Sequence, residues 1–129
     1  MPETVRKSSK IREPEGKSPL TGGISYPAID FDHINRLALR SLLVILVRWL
    51  PTGRREGREY VALNPTRHDR HLGSFRINLN TGRWADFATG DRGGDVISLA
   101  AYLSRLTQTE AAERLADMLG ISMEARYGR

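Results

Sequence analysis

Arginine and aromatic residues are concentrated in the middle of this 129-residue chain. Positions 48 to 83 hold eight arginines and three acidic residues, whereas the only lysines, Lys7, Lys10 and Lys17, precede position 24. Guanidinium groups form paired hydrogen bonds with phosphate, and exposed aromatic rings stack on bases. This combination is typical of a surface that binds single-stranded nucleic acid. The residues expected to form it are Arg58, Tyr60, Arg67, Arg70, Arg76, Arg83 and Trp84.

Two other groups of residues could bind ligands, but simpler interpretations are favoured for both. The glycine-rich turn at 89–95 precedes a predicted helix, where backbone N–H groups can hold a phosphate. It lacks the Lys-Ser/Thr pair of a nucleotide-binding loop, and Asp91 and Asp95 would repel an anion, so we expect a glycine turn with an aspartate cap. His68 and His71 lack a four-ligand set with the usual zinc spacing.

Several classes of chemistry have no support in the sequence. The chain contains no cysteine, which excludes disulfides, thiolate zinc sites and cysteine nucleophiles. No pair of acidic residues stands out as a general acid and base, and no nucleophile elbow occurs. We therefore expect a binding protein rather than an enzyme, and no cofactor.

The spacing of apolar residues predicts the elements that position these side chains. A helix is expected from Asp30 or Asp32 to the residue before Pro51. Strands are expected at 59–64, 75–79 and 83–87, because apolar and polar residues alternate there. Two further helices follow, one capped by Asp95 and ended near 106, the other at 107–119 with a Thr107 capping box.

The hairpin between the second and third predicted strands decides which side chains face solvent. If Asn80-Thr81-Gly82 forms a three-residue loop, Phe75 pairs with Phe87 on the core face. Asn78 then pairs with Trp84, and Arg76 with Asp86, on the solvent face. The alternative is that Trp84 packs under the first helix, since large aromatic residues are usually buried, while Arg76 still pairs with Asp86.

Length and composition fit one domain with tails. Apolar residues make up 40% and the formal net charge is +5, which favours polyanionic partners. We expect a disordered tail at 1–24, a domain at 25–121 and a polar tail at 122–129. The domain should be α+β, with a small antiparallel sheet of about three strands packed against one N-terminal and two C-terminal helices. The chain has no apolar run near the roughly 20 residues of a membrane span and no secretory signal, so a cytoplasmic location is expected.

Several short motifs follow one another in a characteristic order. They are Asn64-Pro65-Thr66-Arg67, Gly73-Ser74-Phe75, Gly82-Arg83-Trp84-Ala85-Asp86-Phe87, Gly93-Gly94-Asp95-Val96-Ile97 and Leu119-Gly120-Ile121. The order resembles the CHC-type zinc-ribbon domain of bacterial and phage DNA primases. That family reads Cys-Pro-x-His, Pro-Ser-Phe, an aromatic strand, Cys-x-x-Cys and Gly-Gly-Asp, followed by helices.

The resemblance implies the scaffold and template binding of that family, but not its metal. Its four ligand positions fall on Asn64, Arg67, Phe87 and Gly90 here, so all four ligands are missing. Because the predicted register turns Phe87 toward the core, we expect this side chain and the apolar first helix to replace the metal by hydrophobic burial. Zinc-less versions of the domain resemble parts of plasmid, phage or integrative-element replication proteins.

We therefore predict an accessory module that binds single-stranded DNA in replication. The main alternative is a protein-interaction module, whose two C-terminal helices dock onto a replication primase or helicase. A third is a small metal-dependent enzyme. Weak binding to nucleic acid that does not respond to salt would favour the interaction module, and turnover stimulated by metal would favour the enzyme.

Overall fold

A computed structural model describes residues 28–127, so the predicted tail at 1–24 lies outside the described residues. Within this range the chain forms five helices and five strands. The helices are α1 (Phe31–Arg40), α2 (Leu42–Trp49), α3 (Val96–Ser104), α4 (Gln108–Leu119) and α5 (Met123–Arg126). The strands are β1 (Arg54–Glu56), β2 (Glu59–Ala62), β3 (Phe75–Asn78), β4 (Trp84–Asp86) and β5 (Arg92–Gly93).

The strands form one open antiparallel sheet in the order β1-β2-β3-β4-β5. The α+β class is confirmed, but the sheet has five strands rather than about three. The additional strands, β1 and β5, lie at the two edges. They are short and polar and adjoin glycines, so alternation of apolar residues could not reveal them. No strand was predicted before residue 59, yet the segment at 54–56 pairs with β2 through a turn at Gly57 and Arg58.

The predicted N-terminal helix is divided in two at Ser41. The backbone there leaves helical geometry (φ −113°, ψ 20°), and the Ser41 N–H donates to the Ala38 carbonyl over 3.1 Å. After the break, α2 buries Leu42, Ile45 and Leu46. A change of direction lets both short helices turn an apolar stripe to the same core, which the spacing of residues along one continuous helix could not show.

The predicted caps of the later helices are confirmed. The Asp95 carboxylate accepts a hydrogen bond from the Ser98 N–H over 2.8 Å, which begins α3. Thr107 and Glu110 form a capping box at the start of α4, and Gly120 ends it with φ +69°. These caps hold the helices that cover one face of the sheet.

The core lies between the inner face of the sheet and the helices. The sheet contributes five buried side chains to it, Tyr60, Ala62, Phe75, Ile77 and Trp84. Helix α3 packs against both α1 and α4. In the described part of the chain, no helix has the length and apolar character needed to cross a membrane.

The segment predicted as a polar tail from residue 122 onward is structured as far as Tyr127. It contains α5, and the buried Arg126 side chain pairs with Asp117 over 2.7 Å. The Asp30 N–H donates to the Arg126 carbonyl over 2.8 Å, and Ile29 forms a β-bridge with Tyr127. The packed domain therefore continues beyond the predicted boundary at 121.

Candidate nucleic-acid interface

The hairpin between β3 and β4 has a different register from the predicted one. Phe75 pairs with Asp86, Arg76 with Ala85, and Ile77 with Trp84. The loop is closed by Asn78, whose Oδ1 accepts from the N–H groups of Asn80 (2.8 Å) and Thr81 (3.0 Å).

The Asn78 N–H donates to the carbonyl of Arg83 over 2.7 Å, so the loop between these two residues, 79–82, contains four residues rather than three. The three-residue assignment was therefore wrong. A shift of one residue moves every β4 side chain to the opposite face of the sheet.

Trp84 and Tyr60 were predicted to lie exposed, and both are buried, at 5% and 2% exposure. The indole Nε1 of Trp84 donates to Ser98 Oγ over 2.9 Å, and its ring lies 4.5 Å from that of Tyr102. The Tyr60 hydroxyl donates to the Leu50 carbonyl over 2.7 Å. The alternative interpretation of Trp84 as a core residue is confirmed, but the ring packs against α3 and not under the first helix. Neither ring is therefore available to stack on a base.

The same shift places the Asp86 side chain on the inner face, at the end of the sheet, with no exposed area. Arg67 binds it with two hydrogen bonds, Nε to Oδ2 (2.8 Å) and Nη2 to Oδ1 (3.2 Å). Asn64 Nδ2 donates to Asp86 Oδ2 over 2.8 Å, and the Ala88 N–H donates to Oδ1 over 2.9 Å. We refer to Asn64, Arg67 and Asp86 as the Asp86 cluster. Arg76, which was expected to pair with Asp86, pairs with Glu59 instead.

The Asp86 cluster is held as a charged pair. Burial of the Asp86 carboxyl acts to raise its pKa, but the hydrogen bonds from Arg67, Asn64 and Ala88 and the charge of Arg67 outweigh burial. The pKa of Asp86 is therefore well below its usual range. The carboxylate is ionised at neutral pH and accepts hydrogen bonds from Asn64 and Arg67, which reach it from the loop after β2.

The residues at the family's ligand positions do not fit a zinc ion. Asn64 and Arg67 both bind Asp86, and a guanidinium group is a cation that cannot ligate a metal. Phe87, expected in the core, is 73% exposed, and Gly90 has no side chain. Within residues 28–127, no three or more His, Cys, Asp or Glu side chains are grouped so as to hold a metal ion. A polar cluster, not the hydrophobic contact that was expected, thus closes this end of the sheet.

The outer face of the sheet carries a row of side chains across all five strands. Successive paired residues along this row are Arg54, Val61, Arg76, Ala85 and Arg92. Arg83 and Phe87, which directly precede and follow β4, are two positions from Ala85 on either side and line the same face of the sheet. The outer face therefore combines several arginines with one exposed aromatic ring.

A shallow depression of about 170 Å³ lies on this face above Ala85. The small side chain of Ala85 forms its floor, and longer side chains surround it. They are Glu59, Arg76, Asn78, Arg83 and Phe87, with part of Trp84. We call this depression the Ala85 cup.

The structure brings only some of the predicted binding residues together. Arg76 and Arg83 share the outer face, whereas the side chain of Arg67 is engaged by Asp86 and Asp69. Arg58 is exposed in the turn between β1 and β2, and Arg70 is exposed in the loop before β3.

Phe87 and Arg92 were not among the predicted residues. Assigning Trp84, the larger aromatic residue, to the core would have placed Phe87 on the outer face. The position of Arg92 depends on the pairing of β5 with β4, which the sequence did not reveal.

Electrostatic pairing divides the outer face into two halves. Arg76 Nη1 lies 2.9 Å from Glu59 and 3.7 Å from Glu56, which partly neutralise it on the β1–β2 side. Arg83 and Arg92 are exposed, and neither forms an ion pair with any residue in 28–127. The positive potential should therefore be strongest on the β4–β5 side, beside Phe87.

Comparison with known proteins agrees with the motif order. The family model described as CHC2 zinc finger matches residues 29–129, which include almost all of the described domain. No curated protein shows a significant match to the sequence. In DNA primases this zinc ribbon is an accessory, nucleic-acid-binding domain separate from the catalytic one. The chain belongs to the CHC2 zinc finger family, as a primase-related member in which the Asp86 cluster occupies the metal-binding end of the sheet.

Proposed function

We propose that the domain binds single-stranded DNA on the β3–β5 side of its outer face. The observation that carries this proposal is the exposed Phe87 ring, which projects from the sheet on the same face as Arg83 and Arg92. Phe87 can stack on a base while the two guanidinium groups contact flanking phosphates. A single strand is favoured, because the bases of a duplex are already stacked on one another.

Stacking by Phe87 replaces the predicted stacking by Trp84. The role of Trp84 is instead to anchor β4 to the start of α3 through Ser98. This anchor supports the strand that holds Arg83 and Phe87 in place. Trp84 therefore affects DNA binding only by stabilising the fold.

We further propose that the domain works beside a replication primase or helicase of a plasmid, phage or integrative element. The family supports this setting, since its members hold template for a separate catalytic domain. Arg58 and Arg70, on the margins of the domain, are proposed to extend the phosphate contacts beyond the outer face.

Fluorescence anisotropy with a labelled single-stranded oligonucleotide tests the proposal. Phe87→Ala should weaken binding about five- to a hundredfold, the range that one lost base–aromatic stack gives. Its matched control is Val44→Ala on α2, since Val44 is also 73% exposed. The control should leave affinity unchanged, and both variants should melt at the temperature of the wild type.

Equal affinities for the two variants would remove Phe87 from the site. Weak binding without salt dependence would instead favour the protein-interaction alternative. That alternative was predicted to use the two C-terminal helices. An exposed apolar surface lies instead on α2, where Val44 and Val47 are 73% and 51% exposed.

A further inference from the structure

We propose that the Ala85 cup is a pocket for one base and that it selects guanine. This inference rests on the proposed function and goes beyond it, because stacking and phosphate contacts alone bind all four bases. It follows from the order of three side chains along the rim of the cup, and from the hydrogen-bonding groups that they leave unused.

Glu59, Asn78 and Arg83 follow one another along this rim. Glu59 on β2 pairs directly with Asn78 on β3, and Asn78 lies opposite Arg83, the residue before β4. Neighbouring strands are about 4.8 Å apart, so the backbones of the outer two residues are separated by about 10 Å. The edge of one base fits between side chains at this spacing.

Each of the three side chains has free hydrogen-bonding capacity with respect to residues 28–127. Glu59 Oε1 accepts from Arg76 over 2.9 Å, which leaves Oε2 as an acceptor. Asn78 Oδ1 is occupied by two backbone N–H groups of the turn, so its Nδ2 is a donor directed away from them. The Arg83 guanidinium lines the cup and donates to no acceptor in this range. From Glu59 to Arg83, the rim therefore offers a bound base one hydrogen-bond acceptor followed by two donors.

Guanine matches this order best. Along its perimeter it presents two donors, N1–H and the N2 amino group, then the acceptor O6, then the acceptor N7. Glu59 would accept from the two donors, Asn78 would donate to O6, and Arg83 would donate to O6 and N7, as arginine commonly does. When guanine occupies the cup, Arg83 therefore contacts the base and Arg92 keeps the phosphate contact. Adenine places an amino group opposite Arg83, thymine presents a carbonyl on each side of its single N–H, and cytosine offers Glu59 one amino group only.

The position of Ala85, the floor of the cup, supports the placement of one base there. Ala85 separates Arg83 from Phe87 along β4, so a base above Ala85 can meet the rim with its edge while Phe87 packs against it from the other side. A larger side chain at position 85 would fill the space.

The test uses the full chain and an oligothymidylate of about eleven nucleotides with one central position varied. Wild type should bind the dG oligonucleotide about tenfold more tightly than those with dA, dC or dT, a typical discrimination for one recognised base. Deoxyinosine lacks the N2 amino group and 7-deazaguanine lacks N7. Each should lose a severalfold part of that preference.

Two variants that remove the same charge test whether the preference for dG depends on Glu59. Glu59→Leu removes the acceptor of the rim and should abolish both the preference for dG and the effect of deoxyinosine. Glu56→Leu removes the same charge from β1, outside the cup, and should retain both. The analogue measurements on wild type test the assignment even if Glu59→Leu fails to fold.

The outcomes separate the two proposals. Binding that depends on salt but not on the central base overturns the guanine pocket and leaves the proposed function standing. A preference for another base, or a dG preference that survives in Glu59→Leu, also overturns the pocket. Failure to bind any of the oligonucleotides overturns both proposals.

Discussion

Replacing Asp86 with asparagine should destabilise the domain strongly, although the two side chains are almost the same size. Asp86 has no exposed area and accepts from Arg67, Asn64 and the Ala88 N–H. Asparagine retains one oxygen acceptor, but its amino group would face donors. Removing one partner of a buried ion pair costs about 3 to 5 kcal/mol. The Arg67 side chain is 27% exposed and can regain some hydration, so we expect a loss of about 3 kcal/mol in the free energy of unfolding.

Urea denaturation at neutral pH measures this loss, and its pH dependence identifies the cause. The folded state lowers the pKa of Asp86, so the carboxylate stabilises the fold above the ordinary aspartate pKa of about 4. This contribution is lost as pH falls from there toward the lowered pKa. The difference in stability between wild type and Asp86→Asn should therefore shrink steadily as the pH falls below about 4.

A suitable control for that measurement is Asp91→Asn. The exposed Asp91 carboxylate accepts one hydrogen bond from Tyr102 over 2.7 Å, so its replacement should change stability by less than about 1 kcal/mol. The reasoning would be refuted if both variants lost the same stability, or if the loss in Asp86→Asn stayed constant down to pH 2.

Three further expectations follow from the fold and the interface. Trp84→Ala should cost about 3 to 5 kcal/mol of folding free energy, and DNA binding should be lost only to the extent that the protein unfolds. A variant that stays folded but binds DNA more weakly would show that Trp84 belongs to the binding site. A strong chelator should leave the melting temperature unchanged and elemental analysis should find no stoichiometric zinc, whereas a large shift would show that the Asp86 cluster does not replace the metal. If Arg92 and about three other arginines contact phosphates, the slope of log affinity against log salt should be near −3, and Arg92→Gln should reduce its magnitude by about 0.7.

Local signals in the sequence predicted most of the elements. The caps at Asp95 and Thr107 and the stop at Gly120 act within one helical turn, so each can be recognised without knowledge of the tertiary structure. The order of motifs likewise identified the scaffold. The edge strands β1 and β5 escaped detection because pairing with a neighbouring strand, rather than an apolar pattern, defines them.

The candidate site was predicted less well, because it depended on the register of one hairpin. Asn80-Thr81-Gly82 is compatible with a three-residue loop, whereas the hydrogen bonds of the Asn78 side chain produce a longer turn. Choosing the shorter loop exchanged the roles of Trp84 and Phe87. The burial of Asp86 could not be inferred from its type, since its partners Asn64 and Arg67 lie about 20 residues away along the chain.

The Asp86 cluster changes what the cell must supply for this domain to form. A zinc ribbon held by thiolates is unfolded until it binds metal. Peroxide can oxidise its cysteines to acids that no longer bind zinc. Here the closing groups, Asn64, Arg67 and Asp86, are side chains of the same polypeptide, and the chain contains no cysteine. Zinc starvation and the oxidation of thiols, which would unfold a ribbon held by thiolates, are therefore expected to leave this domain folded.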